Sequence, residues 1–113
     1  MAYIPSYTET YRKRNKPDGM EYASAERVLD AVEQHFAVRR AYLLNKCRRK
    51  EVVYPRQIAM YLLAHYTVLT LKSIGVIFEK DHTTVIHSME VVDNYIFCDP
   101  LVKEQIDQIV STF

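Results

Sequence analysis

One short stretch of the sequence has side chains suited to hydrogen bonding with the edges of bases, and it reads Asp81-His82-Thr83-Thr84. Asp81 is a favourable helix N-cap, because its carboxylate can accept a hydrogen bond from a backbone N–H of the first turn. The major groove of duplex DNA accepts a helix by its first turn, where short polar side chains reach the bases. An ordinary capped surface helix explains the same four residues, so this stretch alone leaves both interpretations open.

The residues that follow are typical of a helix that buries one face. Apolar side chains recur at spacings of four, three and four residues, at Val85, Met89, Val92 and Ile96. The opposite face is polar and carries Thr83, His87, Glu90 and Asn94. The pattern predicts a helix from His82 to Ile96, here called the recognition helix, with Val85 and Met89 buried.

A shorter helix is predicted directly before the recognition helix, from its N-cap Thr70 to Phe78. Three residues, 79–81, connect the two helices, and this arrangement is a helix-turn-helix. Gly75 costs the shorter helix roughly 1 kcal/mol relative to Ala. We attribute this glycine to a close approach of the second helix, because glycine has no side chain to keep a neighbour away.

Two helices are predicted nearer the N-terminus. Ser24 can cap a helix that extends to Phe36 and has an apolar stripe on one face. The stripe consists of Ala25, Val28, Leu29, Val32 and Phe36. A short second helix is expected from Arg39 to Leu44. Its inward-facing residues are expected to be Tyr42, Leu43 and Leu44.

Helix starts are also predicted at two prolines. Pro55 is favoured at the first helical position, which predicts a helix that extends to Tyr66. Its apolar side carries Ile58, Tyr61, Leu62 and Tyr66. Arg56 and Gln57 then lie in its first turn, where free N–H groups and a cation can hold a phosphate. The last helix begins at Pro100 and is expected to fold back on the core, with a dimer or partner surface as the alternative.

Charge is distributed unevenly along the chain, although the net charge is only +1. Residues 39–56 hold seven basic side chains and one acidic one, whereas residues 57–113 hold three basic and seven acidic ones. A local basic patch on an otherwise acidic domain is the electrostatic pattern of a nucleic-acid-binding surface. The stretch from Asn45 to Tyr54 is therefore interpreted as a basic binding loop, with a solvated surface loop as the alternative.

Length and composition favour one all-α domain. The chain has 113 residues and only two glycines, which is typical of a single helical domain with a modest core. We expect residues 23–113 to form this domain. Residues 1–22 are expected to form a basic, tyrosine-containing arm, which either is loosely attached or follows DNA phosphates. The sequence has no signal peptide, membrane span or Cys-x-x-Cys pair, which favours a reduced, cytoplasmic protein without a membrane partner.

Nothing in the sequence indicates an enzyme. The only glycines are Gly19 and Gly75, so there is no glycine-rich phosphate loop. The four histidines lack the spacing of metal ligands, and no nucleophile and base can be paired. We therefore expect neither catalysis nor a metal or cofactor.

Several of these stretches together resemble the C-terminal DNA-binding domain of DnaA, the bacterial replication initiator. The segment Asp81–His87 resembles the signature of that family, and Tyr54–Met60 resembles the Pro-Arg-Gln start of an earlier helix. A basic loop precedes Pro55, as it does in the family. The similarity is strong from Leu43 to Ile96 and is absent from residues 1–22. It implies an all-α, Trp-repressor-like domain of about six helices around the helix-turn-helix.

The resemblance implies residue roles in the binding of double-stranded DNA. Arg48 would enter the minor groove. Bases in the major groove would be contacted by Asp81, His82, Thr83 and Thr84. Phosphates would be contacted by Lys46, Lys50, Arg56, Gln57, Lys72 and His87. Asp81 would accept from a cytosine amino group, and a threonine methyl group would touch a thymine methyl group.

The implied function is sequence-specific DNA binding at sites like the DnaA boxes of replication origins. The ATPase domain of DnaA has no counterpart in this sequence, so we expect a stand-alone regulator of replication initiation or transcription. Such a regulator would be a monomer or a weak dimer. It would be associated with the nucleoid, or act in the host cytoplasm if a phage encodes it.

A second interpretation keeps the fold without DNA binding. Glu90 lies on the polar face of the recognition helix, where its carboxylate would repel phosphates. Cys47 and Glu51 interrupt the basic loop. In this interpretation the acidic face of residues 79–107 binds a protein partner, such as a replication factor.

Overall fold

The computed structural model describes residues 23–44 and 49–113, which form six α-helices and no strand. In chain order these are α1 (Ala25–Phe36), α2 (Arg40–Leu44), α3 (Lys50–Tyr66), α4 (Leu71–Phe78), α5 (His82–Cys98) and α6 (Pro100–Val110). The predicted all-α fold of about six helices is confirmed. The predictions for the arm of residues 1–22 and for residues 45–48 fall outside the described residues. In the ranges described, no helix is long and apolar enough to cross a membrane.

Helix α3 lies at the centre of the domain, where it packs against α1, α2, α4 and α5. Its buried apolar residues are Val52, Ile58, Ala59, Met60, Leu62, Leu63 and Ala64. A helix that buries apolar residues on all sides is a core element rather than a surface element. The sequence predicts one apolar side for this helix, whereas the buried surface extends around it. Tyr61 and Tyr66, which are predicted to lie on that apolar side, are only half-buried.

Helix α3 begins at Lys50, so the predicted start at Pro55 is wrong. Pro55 is buried inside the helix, where its missing N–H leaves the carbonyl of Glu51 without its usual helical partner. The earlier start buries Val52, and this burial outweighs the local preference of proline for a helix start. As a consequence, Arg56 lies in the second turn, away from the free N–H groups of the first.

Helices α4 and α5 form the predicted helix-turn-helix. Thr70 caps α4, because its hydroxyl accepts a hydrogen bond from the N–H of Ser73 at 3.1 Å. Val85 and Met89 are fully buried, as predicted, and they belong to the same core as Ile74. The apolar stripe of α5 therefore holds the helix on the domain and leaves its other face outward.

The turn between α4 and α5 is a tight Schellman motif. Glu79 has a left-handed backbone with φ 54°, and the N–H groups of Glu79 and Lys80 donate to the carbonyls of Val76 (3.2 Å) and Gly75 (2.8 Å). A Cβ atom at Gly75 would lie 2.5 Å from the carbonyl oxygen of Lys80. Gly75 is therefore required by a close approach, as predicted, and the approaching group is the backbone of the turn that leads into α5.

The remaining helices pack around α3 and α5. Ser24 caps α1 by accepting from the N–H of Arg27 at 3.2 Å, as predicted. In α2, Leu43 is fully buried but Tyr42 is 51% exposed, so the inward orientation predicted for Tyr42 is wrong. Helix α2 has only five residues, too few to bury more than one face. Helix α6 begins at Pro100 and folds back on the core, with its apolar stripe buried.

Replacement of Gly75 by alanine tests the close approach. Gly75→Ala should lower the free energy of unfolding by about 1–3 kcal/mol, because the new methyl group meets a backbone carbonyl that cannot move without shifting α5. Urea unfolding followed by circular dichroism measures this change. The control is Val76→Ala at the next, exposed position, which should alter stability by less than about 0.5 kcal/mol. A Gly75→Ala protein that is about 1 kcal/mol more stable, as expected for an open helix, would contradict the close approach.

Candidate nucleic-acid interface

The first turn of α5 is exposed. The side chains of Asp81 and His82 are 70% and 54% exposed, Thr83 is exposed, and Thr84 is half-buried. Asp81 has the backbone conformation of an N-cap, but its carboxylate accepts no capping hydrogen bond. Instead, its Oδ1 atom lies 3.0 Å from Nδ1 of His82. The predicted capping hydrogen bond of Asp81 is therefore wrong, because its carboxylate is paired with the neighbouring imidazole instead.

The polar face of α5 continues beyond this first turn. Thr83, His87 and Asn94 are exposed along it, whereas Glu90 is half-buried. These four positions lie on the side of the helix opposite to its buried apolar stripe. From Thr83 to Asn94, helix α5 thus offers a polar face about three turns long, and the opposite face of the helix packs on the core.

The start of α4 carries an exposed basic side chain. Lys72 is exposed at the second position of that helix, two residues after the cap Thr70. The Schellman turn fixes α4 relative to α5, so the helix start that carries Lys72 is held in place relative to the first turn of α5. This rigid connection suits a lysine that holds a phosphate while α5 contacts bases.

Two other predicted phosphate contacts form a separate group. Lys50 and Gln57 line a shallow pocket of about 380 Å³ together with Val53, Tyr54 and Tyr95. Tyr95 follows His82 by 13 residues on α5, which corresponds to about 20 Å along the helix axis. The predicted DNA-contacting residues are therefore divided between the two ends of α5. Tyr95 has no place in the sequence-based prediction, because only the packing of α3 brings it beside Lys50.

Arg56 occupies a buried position rather than the surface. Its side chain donates from Nε to the carbonyl of Leu43 at 2.7 Å and from Nη2 to the carbonyl of Tyr42 at 3.0 Å. Only 7% of the residue is exposed. These carbonyls belong to the last turn of α2, so the guanidinium group serves as a cap for that short helix. The predicted phosphate contact of Arg56 stays a prediction, and the first-turn position that motivated it is wrong.

A second arginine, Arg40, fixes the other end of α2. Its guanidinium group pairs with Glu26 (2.6 Å), Asp30 and Glu33 (2.9 Å) of α1. Burial lowers the pKa of Arg40, but hydrogen bonds and charges of Glu26 and Glu33 outweigh burial and raise it above its ordinary value. The three carboxylates are four and three residues apart, a helical spacing from which an acidic face on α1 could have been predicted.

The basic segment that connects α2 to α3 is only partly described. Lys46 and Arg48 lie outside the described residues, so their predicted contacts stay predictions. Arg49 is exposed at the N-cap of α3, and Lys50 is exposed at its first position. Because two arginines hold α2 and the core holds α3, both ends of this segment have fixed positions.

The histidines do not gather into a metal centre. His82 pairs with Asp81, and His87 is exposed on the next turn of α5. His65 is buried in α3, with its ring 4.2 Å from that of Tyr61. Across residues 23–44 and 49–113, no group of three His, Cys, Asp or Glu side chains could hold a metal ion.

The capping role of Arg56 can be tested by alanine substitution. Arg56→Ala should lower the free energy of unfolding by about 2–4 kcal/mol, because it removes charge-assisted hydrogen bonds to two carbonyls of α2. Thermal and urea unfolding measure the loss, and the neighbouring Gln57→Ala, at a half-buried position, is the control with a smaller effect. An Arg56→Ala protein of unchanged stability but reduced DNA affinity would instead support the phosphate contact.

Comparison with known proteins agrees with this architecture. A family model described as "Bacterial dnaA protein helix-turn-helix" matches residues 25–92, from the start of α1 through most of α5. The match includes the helix-turn-helix and the exposed first turn of α5.

Relatives of this chain include proteins named "Chromosomal replication initiator protein DnaA", of which three are compared below. The protein of Thermoanaerobacter sp. (strain X514) is 40% identical over 82 residues, 73% of this chain and 18% of that protein. The protein of Thermomicrobium roseum is 42% identical over 87 residues, 76% of this chain and 19% of the relative. The protein of Treponema pallidum (strain Nichols) is 32% identical over 109 residues, 96% of this chain and 23% of the relative. This chain thus spans about a fifth of the length of these relatives, and it belongs to the bacterial DnaA helix-turn-helix family.

Proposed function

We propose that this protein binds double-stranded DNA with sequence preference and acts in the initiation of replication, at sites like DnaA boxes. The observation that carries the proposal is the exposed first turn of α5, residues 81–84, which lies within the part that matches the family. A helix-turn-helix presents the start of its second helix to the major groove, where side chains reach the bases. A role in regulating transcription is compatible with the same chemistry.

Base recognition in this proposal belongs to the first turn of α5. Asp81, His82 and Thr83 are exposed there, and Thr84 is half-buried at the edge of the core. A threonine offers one hydroxyl group for hydrogen bonds and one methyl group that can pack on thymine. The proposal assigns base contacts to these four residues and a minor-groove contact to Arg48.

Phosphate binding belongs to residues on both sides of this turn. Lys72 is the exposed candidate at the start of α4 and His87 is the one in the second turn of α5, whereas Lys50 and Gln57 lie beside Tyr95 near the end of α5. We assign phosphate binding to Lys46 as well, because it belongs to the basic segment before α3. Contacts at separate places along α5 would fix the orientation of this helix on the duplex, because phosphate contacts set register while base contacts set sequence.

The proposal predicts different losses for a base contact and a phosphate contact. Thr83→Ala should reduce affinity for a preferred duplex, selected from random DNA, by roughly 1–3 kcal/mol and leave affinity for a scrambled duplex unchanged. Lys72→Ala should weaken binding to both duplexes and flatten the salt dependence by about one unit, because one fewer counterion is released.

Binding titrations of both variants at several salt concentrations measure these losses. Lys103→Ala is the matched control, because Lys103 is exposed on α6, where it pairs with Asp107. It should bind both duplexes as the original protein does. Failure of the unaltered protein to bind either duplex at low salt would overturn the proposed function.

The half-buried Glu90 lies on the polar face of α5, where its charge opposes phosphate binding. Glu90→Gln should increase affinity for duplex DNA by roughly 1 kcal/mol at low salt, and less at high salt, because screening weakens the repulsion. Glu104→Gln on α6 removes the same charge at an exposed position outside this face and is the control. Equal gains from the two substitutions would indicate an effect of net charge alone and would contradict an α5-centred interface.

A second candidate function is a protein-interaction module, favoured by an exposed apolar surface where α5 meets α6. Phe97 is 91% exposed and Leu101 is 68% exposed. A neighbouring pocket of about 640 Å³ is lined partly by Asp99 and Glu104. Exposed apolar surface next to polar groups often marks a protein-binding site. This candidate predicts that the protein is not retained on duplex DNA even at low salt.

A further inference from the structure

The shallow pocket between α3 and α5 offers hydrogen-bond donors for an anion. Its lining consists of Lys50, Val53, Tyr54, Gln57 and Tyr95, and no carboxylate is among these residues. An ammonium group, an amide and phenol hydroxyl groups can all donate hydrogen bonds, and a cationic donor binds an oxyanion more strongly than a neutral one does. The larger pocket beside α6 shares both tyrosines but is lined by Asp99 and Glu104, whose charges would repel an anion. Of the two pockets, the one that holds Lys50 is therefore suited to a phosphate group.

The two tyrosines of this pocket differ in what their hydroxyl groups bind. Tyr54 is half-buried, and its hydroxyl donates to Oε1 of Gln105 on α6 at 2.9 Å. Tyr95 is 41% exposed, and its hydroxyl forms no hydrogen bond with residues 23–44 or 49–113. The Tyr54 hydroxyl is thus already bound to α6, whereas the Tyr95 hydroxyl is available to a ligand that enters the pocket.

The ring of Tyr54 holds the ring of Tyr95 in place. Their centroids are 5.6 Å apart, with an interplanar angle of 64°. A second edge-to-face contact joins Tyr54 to Phe36 of α1, with centroids 5.7 Å apart and an angle of 89°. Because Tyr54 is bound to α1 and to α6, it offers a fixed surface against which Tyr95 packs edge to face. Tyr54 is therefore a positioning residue for Tyr95.

We propose that this pocket binds one phosphate group of the DNA backbone, to which Lys50 supplies charge and Tyr95 donates a hydrogen bond from its hydroxyl group. The inference rests on the proposed function and adds Tyr95 to the residues that contact DNA. Tyr95 lies beyond residues 25–92, which match the family model, so the match does not imply this contact. A phosphate contact carries no sequence information, so Tyr95 contributes to affinity and to the orientation of α5 rather than to the choice of site.

Removal of one hydroxyl group tests the contact. Tyr95→Phe should weaken binding to a duplex selected from random DNA and to a scrambled duplex alike, by about 3- to 10-fold, because one hydrogen bond to a phosphate is lost. The slope of log affinity against log salt should stay that of the unaltered protein, since an uncharged hydroxyl releases no counterion. Lys50→Ala should instead flatten that slope by about one unit. Tyr42→Phe removes the hydroxyl of an exposed tyrosine on α2, outside the pocket, and is the matched control that should bind both duplexes normally.

Two changes at Tyr54 test its positioning role. Tyr54→Leu removes the supporting ring and should cause a loss of affinity similar to that of Tyr95→Phe. The double variant should bind no more weakly than Tyr54→Leu alone, because both residues act through one contact. Tyr54→Phe keeps the ring and should recover the affinity that Tyr54→Leu loses, and circular dichroism checks that each variant is folded. Additive losses in the double variant would contradict the positioning role.

Three results at Tyr95 would overturn the phosphate contact while leaving the proposed function intact. The first is unchanged affinity of Tyr95→Phe for both duplexes. The second is a loss confined to the selected duplex, which would indicate a base contact. The third is weaker binding of inorganic phosphate by Tyr95→Phe with unchanged DNA affinity, which would assign the pocket to a free anion. Failure of the unaltered protein to bind either duplex at low salt would instead refute the proposed function, and the phosphate contact with it.

Discussion

The arrangement of the candidate interface depends on one close contact, that between Gly75 in α4 and the backbone of Lys80 in the following turn. A Cβ atom at Gly75 would lie 2.5 Å from the Lys80 carbonyl oxygen. The absence of a side chain lets the chain reverse within three residues, and the left-handed Glu79 completes the turn. The first turn of α5 therefore leaves the core at a fixed place, with Asp81 and His82 facing outward.

A second constraint acts through two arginines, which hold the short helix α2. Arg40 joins α2 to the acidic face of α1, and Arg56 joins the end of α2 to the central helix. The guanidinium groups of both arginines bind partners within the domain. They therefore hold the helix that precedes the basic segment in position rather than adding positive charge to the binding surface. The candidate interface thus combines the fixed start of α5 with a basic segment whose two ends have fixed positions. The family model matches residues 25–92, which include α1 to α4 and most of α5.

The sequence predicts the parts of the fold that local chemistry controls. The caps Ser24 and Thr70, the burial of Val85 and Met89 and the role of Gly75 follow from residue types and spacing, and the structure confirms them. The errors concern tertiary contacts. Helix α3 extends before Pro55 because Val52 gains burial, and the Asp81 carboxylate binds an imidazole rather than a backbone N–H. The pocket shared by α3 and α5 likewise depends on packing that residue spacing does not encode.

The most direct test of the central claim is a map of the DNA-binding surface by amide chemical shifts, using ¹⁵N-labelled protein and a duplex selected from random DNA. The account predicts the largest shifts at residues 82–84 and at Lys72, with a second group at Lys50 and Gln57. Such a pattern would place the duplex across the polar face of α5. Shifts confined to Phe97, Leu101 and the rest of the α5–α6 corner, with residues 82–84 unchanged, would contradict a helix-turn-helix that binds DNA by the start of α5.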